Sequence, residues 1–273
     1  MPLSLATWNI NSVRLRLPIV LDFLRQYGPD ILCLQEIKCR NEQFPARQLA
    51  DAGYAHQAVH GQKGYHGVAI VSRAPLTDVS SRVFAGIEES RHVSAVVDFG
   101  RGPLTVHNFY IPAGGDEPDP EINRKFRHKL DFLAELGSWF AEPGFAAGQL
   151  ICGDFNIAPH ENDVWSHKQL LKVVSHTPVE TEALDGLLRG GHGWVDLVRR
   201  HIPHEHKLYS WWSYRNRDWQ ASDRGRRLDH IWSTADIAAR SSGAEIIRPA
   251  RGWSDKPSDH VPVLVRFAPP QPG

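Results

Sequence analysis

Long apolar runs are missing from this 273-residue chain, and nothing in it approaches the ~18 consecutive apolar residues that a membrane-spanning helix needs. A membrane-embedded protein is therefore not expected. The first sixteen residues, MPLSLATWNINSVRLR, also lack a basic segment followed by a long apolar core, so the chain reads as soluble and unprocessed. Cysteine is scarce. Cys33, Cys39 and Cys152 are an odd number without a CxxC pair, which argues against a disulfide framework or thiolate zinc site and fits a reducing cytoplasm. An excess charge of either sign is missing too, since 31 Lys plus Arg balance 31 Asp plus Glu. A nucleic-acid partner must then be held by a local basic face rather than by bulk charge. With 41% hydrophobic residues the composition is that of a folded globular protein, and we expect one α/β domain over residues 1–267 with a loose proline-rich tail at 268–273.

What is present is an alternation of short apolar runs with amphipathic stretches. Strands are predicted at residues 3–10, 30–36, 67–72, 93–99, 104–110, 149–153, 228–233 and 261–267, and helices at 17–26, 122–140 and around 181–188. The opening reads as a βαβ unit. Several later strands follow one another without a helix between them, which points to mixed or antiparallel sheets.

Polar residues collect where these strands end. Asn9 and Asn11 lie two apart at the first, and period-two alternation puts them on one side; Asp154 and Asn156 repeat the arrangement. Glu36 ends the second apolar run, where an acid is costly to bury unless it is paired or binds a metal. Asp229 opens a later strand, and Asp259 with His260 precedes the last one. Singly, each is explained as a turn former, a cap or a solvated loop residue. Together, such clusters at successive strand ends are improbable as independent accidents.

The segments Trp8-Asn-Ile-Asn-Ser, Leu34-Gln-Glu-Ile-Lys38, Gly61-Gln-Lys-Gly-Tyr-His-Gly-Val-Ala-Ile70, Tyr110-Ile-Pro-Ala-Gly114, Gly153-Asp-Phe-Asn-Ile-Ala-Pro159, Arg227-Leu-Asp229 and Pro257-Ser-Asp-His-Val-Pro262 resemble, in order, the motifs of the exonuclease III family of DNA repair nucleases, within the endonuclease/exonuclease/phosphatase superfamily. The resemblance implies a four-layered α/β sandwich, two packed mixed β-sheets flanked by helices in the DNase I-like manner. It also implies a phosphodiester-cleaving site at one end of the sheets.

Phosphodiester hydrolysis needs a hard cation, a group that activates water and donors for the non-bridging oxygens. Glu36, with Asn11 and Asp259, is expected to hold Mg²⁺, for which Mn²⁺ would substitute. Asp154 is the candidate general base, Asn156 holds water or phosphate, His260 donates to the phosphate and Asp229 orients its imidazole. Tyr110 and Asn9 are expected to add donors near the phosphate.

Duplex recognition is expected from residues 199–230, where Arg199, Arg200, Lys207, Arg215, Arg217, Arg224, Arg226 and Arg227 interleave with Trp211, Trp212, Tyr214 and Trp219. Gln62, Lys63 and Arg91 would add backbone contacts. By resemblance, Trp211 and Leu228 wall a niche for a base-less deoxyribose. Two positions depart from the family pattern. Arg226 stands where an apolar residue is common and is expected to narrow or polarise the niche, and Asp223, often Asn, needs Arg224 to neutralise it. The implied protein is a monomeric, cytoplasmic, metal-dependent nuclease of double-stranded DNA, a 3′ to 5′ exodeoxyribonuclease that also incises abasic sites and cleans 3′ ends. The alternatives are a phosphodiesterase of another substrate, such as a lipid or inositol phosphodiester, and an inactive DNA-binding relative. Finally, His201, His204 and His206 lack closing ligands at metal-site spacing and read as a loop, while Cys33 and Cys152 read as core.

Overall fold

A computed structural model describes residues 3–98, 102–216 and 218–268. Its strands are β1 (Leu3–Asn9), β2 (Ile31–Gln35), β3 (His56–His60), β4 (Val68–Ser72), β5 (Leu76–Ser80), β6 (His92–Val97), β7 (Leu104–Tyr110), β8 (Gln149–Asp154), β9 (Val195–Asp196), β10 (Trp211–Trp212), β11 (Gly225–Arg226), β12 (Asp229–Ser233), β13 (Ser241–Ile246) and β14 (Val263–Phe267). One six-stranded sheet runs β13-β14-β1-β2-β4-β3, the other β5-β6-β7-β8-β12-β9, and β10 pairs with β11 in a separate ribbon. The pairs β1/β2 and β7/β8 are parallel and the other pairs in both sheets antiparallel, so the sheets are mixed, as expected.

Period-two alternation builds the layers. Leu5, Cys33, Ile70, Val106, Leu150, Cys152 and Ile231 point between the sheets into one core. Their neighbours point outward: Ala6, Trp8, Leu32 and Leu34 meet Val20 and Phe23 of the helix Leu17–Tyr27, while Ile151 and Trp232 meet the helices Arg124–Phe140 and Pro178–Arg189. Because strands are buried on both faces, they read as continuous apolar runs. Cys33 and Cys152 are buried and unpaired.

Local chemistry sets the ends. Pro18 suits the first turn of Leu17–Tyr27 and Gly28, at φ 53°, closes it in the left-handed conformation. The long helix begins at Arg124, two residues later than expected, because the Asn123 side chain accepts from the Lys125 N–H and caps it. Thr177 and Glu180 form a capping box that starts the next helix at Pro178 rather than 181.

Of the strands not anticipated, β3, β5, β9 and β13 are the four outer strands of the two sheets, and β10 and β11 make the separate ribbon. The outer strands are mostly half-buried, β5 largely exposed, and so lack the apolar run that marked the central strands. The strand expected over 93–99 ends at Val97, and Phe99 lies outside the described residues. Of the expected tail, Ala268 is tied down by its N–H to the Arg240 carbonyl, 2.8 Å away, and 269–273 lie outside the described residues.

Candidate active site

Strand register assembles the centre. Tyr110 is the register partner of Asp154 across β7/β8, and Asp154 is the partner of Asp229 across β8/β12, so three adjacent strands present these side chains in one row. Gly153 makes the row possible, since a Cβ there would lie 1.9 Å from the Phe109 carbonyl oxygen. From the other sheet, Asn9 at the end of β1 reaches across: its Nδ2 donates to Asp154 Oδ2 at 2.8 Å and to Glu36 Oε1 at 2.9 Å. Asn9 was expected to donate to phosphate. It is fully buried with both amide hydrogens engaged, and instead ties the two sheets together at the site.

His260 is delivered by the loop before β14. Trp8 Nε1 donates to its carbonyl at 3.0 Å, and Ser258 Oγ accepts from its N–H while donating to the Asn9 carbonyl. Its Nδ1 meets Asp229 Oδ2 at 2.8 Å and its Nε2 lies 3.7 Å from Asp154 Oδ2. Burial opposes charging the imidazole, but Asp229 and Asp154 outweigh it and lift the His260 pKa to about 10. Burial pushes the Asp154 carboxyl up to about 7, helped by the Asp229 charge and opposed by His260. The pair therefore holds an imidazolium beside a carboxyl poised near neutrality. Tyr110 donates to Glu36 Oε1 at 2.8 Å, and burial, then Glu36 and Asp154, raise its pKa well above 10, so it stays a neutral phenol.

Glu36, Lys38, Asn11 and Asp259 form the second half of the centre. Lys38 Nζ lies 2.8 Å from Glu36 Oε2 and 2.6 Å from Asn11 Oδ1. Burial opposes ionisation of Glu36, yet Lys38 and Asn9 hold its carboxyl below the usual value. Asp259 differs from expectation. Its Oδ1 accepts from Asn11 Nδ2 at 3.2 Å and its Oδ2 from Trp211 Nε1 at 3.0 Å, so both oxygens already face N–H donors.

The donor set fits a hard divalent cation. Glu36, Asp154, Asp229 and Asp259 outnumber Lys38 and the His260 imidazolium, and the buried Asp229 Oδ1 has no hydrogen-bond partner among the described residues. Asp154, Asp229 and His260 bring ligand atoms within 4.8 Å of one another, but an imidazolium repels a cation. Glu36, ionised and 18% exposed in its side chain, is the better oxygen donor. Strain marks the same places: Asn11, Ser12, Glu36, Lys38 and Asn156 all have φ between 48° and 89°, unusual for non-glycine residues. At Asn156 the turn is held by Asp154 Oδ1 accepting its N–H, while its Nδ2 donates to the Ile111 carbonyl and Asp154 Oδ2.

Beside the centre opens a cavity of about 880 Å³ whose walls include Trp165, Val174, Trp211, Arg215, Arg224 and Arg226. Arg226 does not fill it. Its guanidinium lies over the Trp211 ring, 5.3 Å from the centroid, and donates to the Val174 carbonyl and Ser175 Oγ, so it forms wall. Leu228 is buried with Ala158, Val164 and Leu170, against the partly buried Trp211. Asp223 is neutralised by Arg248, 2.9 Å away, and accepts from Trp212 Nε1, whereas Arg224 stacks on Trp165 at 4.7 Å.

The basic segment is thus less uniform than its composition. Arg199 and Arg227 are buried and paired with Asp163, Arg227 also with Asp196, and Trp212 is core; Arg217 lies outside the described residues. Arg91, expected at the DNA backbone, is 7% exposed, pairs with Glu89 and donates to the Tyr110 carbonyl, so it braces Tyr110 from behind. Gln62 accepts from the Ser90 N–H, and Lys63 is exposed. His201 bonds Ser241 and His204 packs edge-on to His160.

Two residues escaped sequence reasoning. Lys38 stood in the quoted motif, and its spacing of two from Glu36 was the available signal. Lys129, fully buried on the helix Arg124–Phe140, pairs with Glu180 and donates to the Asn156 carbonyl at 2.8 Å, fixing the Asp154 turn from below. One of two lysines in an amphipathic helix gave no such signal.

Residues 6–260 match the endonuclease/exonuclease/phosphatase family. The chain is 32% identical over 271 residues to exodeoxyribonuclease III of Haemophilus influenzae, covering 96% of this chain and 98% of that one. Among solved structures it is similar to an AP endonuclease from Archaeoglobus fulgidus, with TM-score 0.88, 32% identity and coverage of 97% and 99%. It is also similar to the 3′ phosphatase NExo from Neisseria bound to product DNA hairpin, with TM-score 0.87, 32% identity and coverage of 97% and 99%.

Proposed function

The chain belongs to the endonuclease/exonuclease/phosphatase family and is a phosphodiester-hydrolysing nuclease of the exonuclease III type, acting in DNA repair; from that premise we propose a Mg²⁺-dependent 3′ to 5′ exodeoxyribonuclease of double-stranded DNA that also incises abasic sites and clears blocked 3′ ends. The observation that carries this reading is the row Tyr110, Asp154, Asp229 with His260 beside a cavity walled by Trp211. The activities named for the relatives support the finer assignments. We further propose that it works as a monomer in the cytoplasm, where its three unpaired cysteines stay reduced.

A divalent cation held by Glu36 and Asn11 supplies charge neutralisation at the phosphate when bound. His260, kept cationic, donates from Nε2 to a non-bridging oxygen, and Asp229 fixes the ring through Nδ1. Asp154, with a pKa of about 7, takes a proton from the attacking water, which Asn156 orients. Water oxygen bonds to phosphorus, the P–O3′ bond breaks, and the departing 3′ oxygen takes a proton from the Tyr110 phenol, which regains one from solvent.

Purified protein on a recessed 3′ duplex and an internal abasic duplex, side by side, tests the assignment. Cleavage of both is expected with Mg²⁺ or Mn²⁺ and none in EDTA. Full activity in chelator would remove the metal from the mechanism, and cleavage of neither substrate would remove the proposed activities.

A further inference from the structure

A continuous chain of polar contacts joins the cavity wall to the cation side of the centre: Trp211 Nε1 to Asp259 Oδ2 (3.0 Å), Asn11 Nδ2 to Asp259 Oδ1 (3.2 Å), Lys38 Nζ to Asn11 Oδ1 (2.6 Å), and Lys38 Nζ to Glu36 Oε2 (2.8 Å). We propose that Asp259 is a positioning residue rather than a metal ligand, and that it couples Trp211, which contacts the substrate sugar, to the Lys38–Glu36 pair. The inference rests on the nuclease reading above for what Trp211 touches, but the contacts stand without it.

Three features support the assignment. The Asp259 carboxylate spans two walls, one oxygen on Trp211 Nε1 and the other on Asn11 Nδ2, so turning either onto a cation breaks the link between the cavity wall and Asn11. Its backbone is tied to the same wall, because the Trp212 N–H donates to the Asp259 carbonyl at 2.9 Å and Trp211 bridges His260. The far side is clamped as well. Tyr214 lies 3.4 Å from Asn11 Nδ2, accepts from Arg16 and donates to the Pro257 carbonyl, and Arg16 also grips the Lys256 carbonyl, so the loop carrying Asp259 is held from both flanks.

Lys38 is the point where the chain acts. One ammonium serves Asn11 and Glu36, so displacement of Asn11 by movement at Trp211 changes how firmly Lys38 holds the carboxylate that faces the cation. Coupling of this kind is reciprocal in binding free energy. Occupancy of the cavity and of the cation side would then each change the affinity for the other by the same factor.

The first measurement uses no DNA. In ¹⁵N-labelled protein the Trp211 indole resonance is identified by its loss in Trp211→Phe, which keeps a ring but removes the donor. It is expected to shift in Asp259→Ala and to keep its hydrogen-bonded position when wild type is titrated with Mg²⁺. Movement on Mg²⁺ addition to the Asp259→Ala position would show Asp259 leaving Trp211 for the metal and would overturn the proposal. Mn²⁺ binding followed by electron paramagnetic resonance should weaken at least ~10-fold in Glu36→Gln and less than about threefold in Asp259→Ala, and equal weakening would also overturn it. With abasic duplex, Asp259→Ala and Trp211→Phe should each raise KM more than they lower kcat, and the double variant should be no worse than the poorer single one. Additive losses would sink the coupling. If wild type cleaves no DNA, the nuclease reading fails and the resonance and Mn²⁺ measurements still decide the role of Asp259.

Discussion

The hydrolytic centre and the cavity beside it are built by different means. Tyr110, Asp154 and Asp229 stand on three neighbouring strands in fixed register, His260 is locked by Trp8 and Ser258, and all four are at most 9% exposed. The cavity is walled by loops, by the two-residue strands β10 and β11, and by Arg/Trp pairs stacked through cation–π contacts, with Arg224 exposed. On the proposed reading, groups that meet a transition state are held on a rigid scaffold, while groups that choose among substrates sit where side chains can rearrange. Substitutions should therefore separate into losses of turnover and losses of substrate preference.

The centre gives the largest expected effect. Asp154→Asn and His260→Ala should each cut turnover by at least ~10²-fold while the Kd for duplex DNA stays within a few-fold, because a base and a phosphate donor act mainly on the transition state. Single-turnover rates with saturating enzyme, set against a binding titration, provide the check. Near-normal turnover in either variant would mean that the buried cluster is structural and the contrast misplaced.

The cavity gives a smaller and more selective effect. Trp211→Ala removes the apolar wall against which a base-less sugar packs, so abasic incision should fall about tenfold, or about 1.4 kcal/mol, with less loss on recessed ends, where fraying requires less unstacking. Arg226→Ala should cost only a few-fold, since Arg226 braces Trp211 against the Val174 carbonyl rather than filling the niche. Equal losses on both substrates would turn the cavity into part of the catalytic apparatus. An abasic rate unchanged by Trp211→Ala would remove it from recognition.

The same contrast explains what the chain announced in its sequence. The centre was readable because strand ends leave short signatures, such as Gly153-Asp-Phe-Asn156, in which the glycine, the acid and the strained amide are each required by local geometry. The central strands were readable because they are apolar on both faces and so leave continuous apolar runs, whereas the four-layered sandwich was implied by the resemblance of the motifs to a known family. The outer strands β3, β5, β9 and β13 were not readable, since they are half-buried or exposed and carry polar residues such as His56 and Thr77. Which arginines face outward was also hidden. Arg199 and Arg227 look in sequence like Arg224, and only the positions of Asp163 and Asp196 draw them inside. Lys129 was invisible for the same reason, its partner Glu180 lying 51 residues away.

The scaffold under the centre offers the smallest expected effect, a pH dependence of stability. His107 of β7 is buried, with Nδ1 against His92 Nε2 at 3.1 Å and Nε2 against Gln149 Oε1 at 3.2 Å, and burial lowers its pKa from 6.5 to about 4. It is neutral when folded at pH 5 and protonated when unfolded. The unfolded state thus binds more protons between about pH 6.5 and 4, so the His107 contribution to stability is complete above 6.5 and declines as pH falls toward 4. Asp154 works in the opposite sense across this whole window, because its raised pKa makes the folded state the proton binder there. The His107 effect must therefore be read as a difference. His107→Gln keeps a polar group of similar reach but no proton to gain. Its unfolding free energy, from urea titrations at pH 6.5 and pH 5, should fall less on acidification than that of wild type, by up to about 1.4 kcal/mol per pH unit for one proton. If both proteins lose stability equally, His107 does not stay neutral in the fold, and the acid sensitivity of the scaffold originates elsewhere.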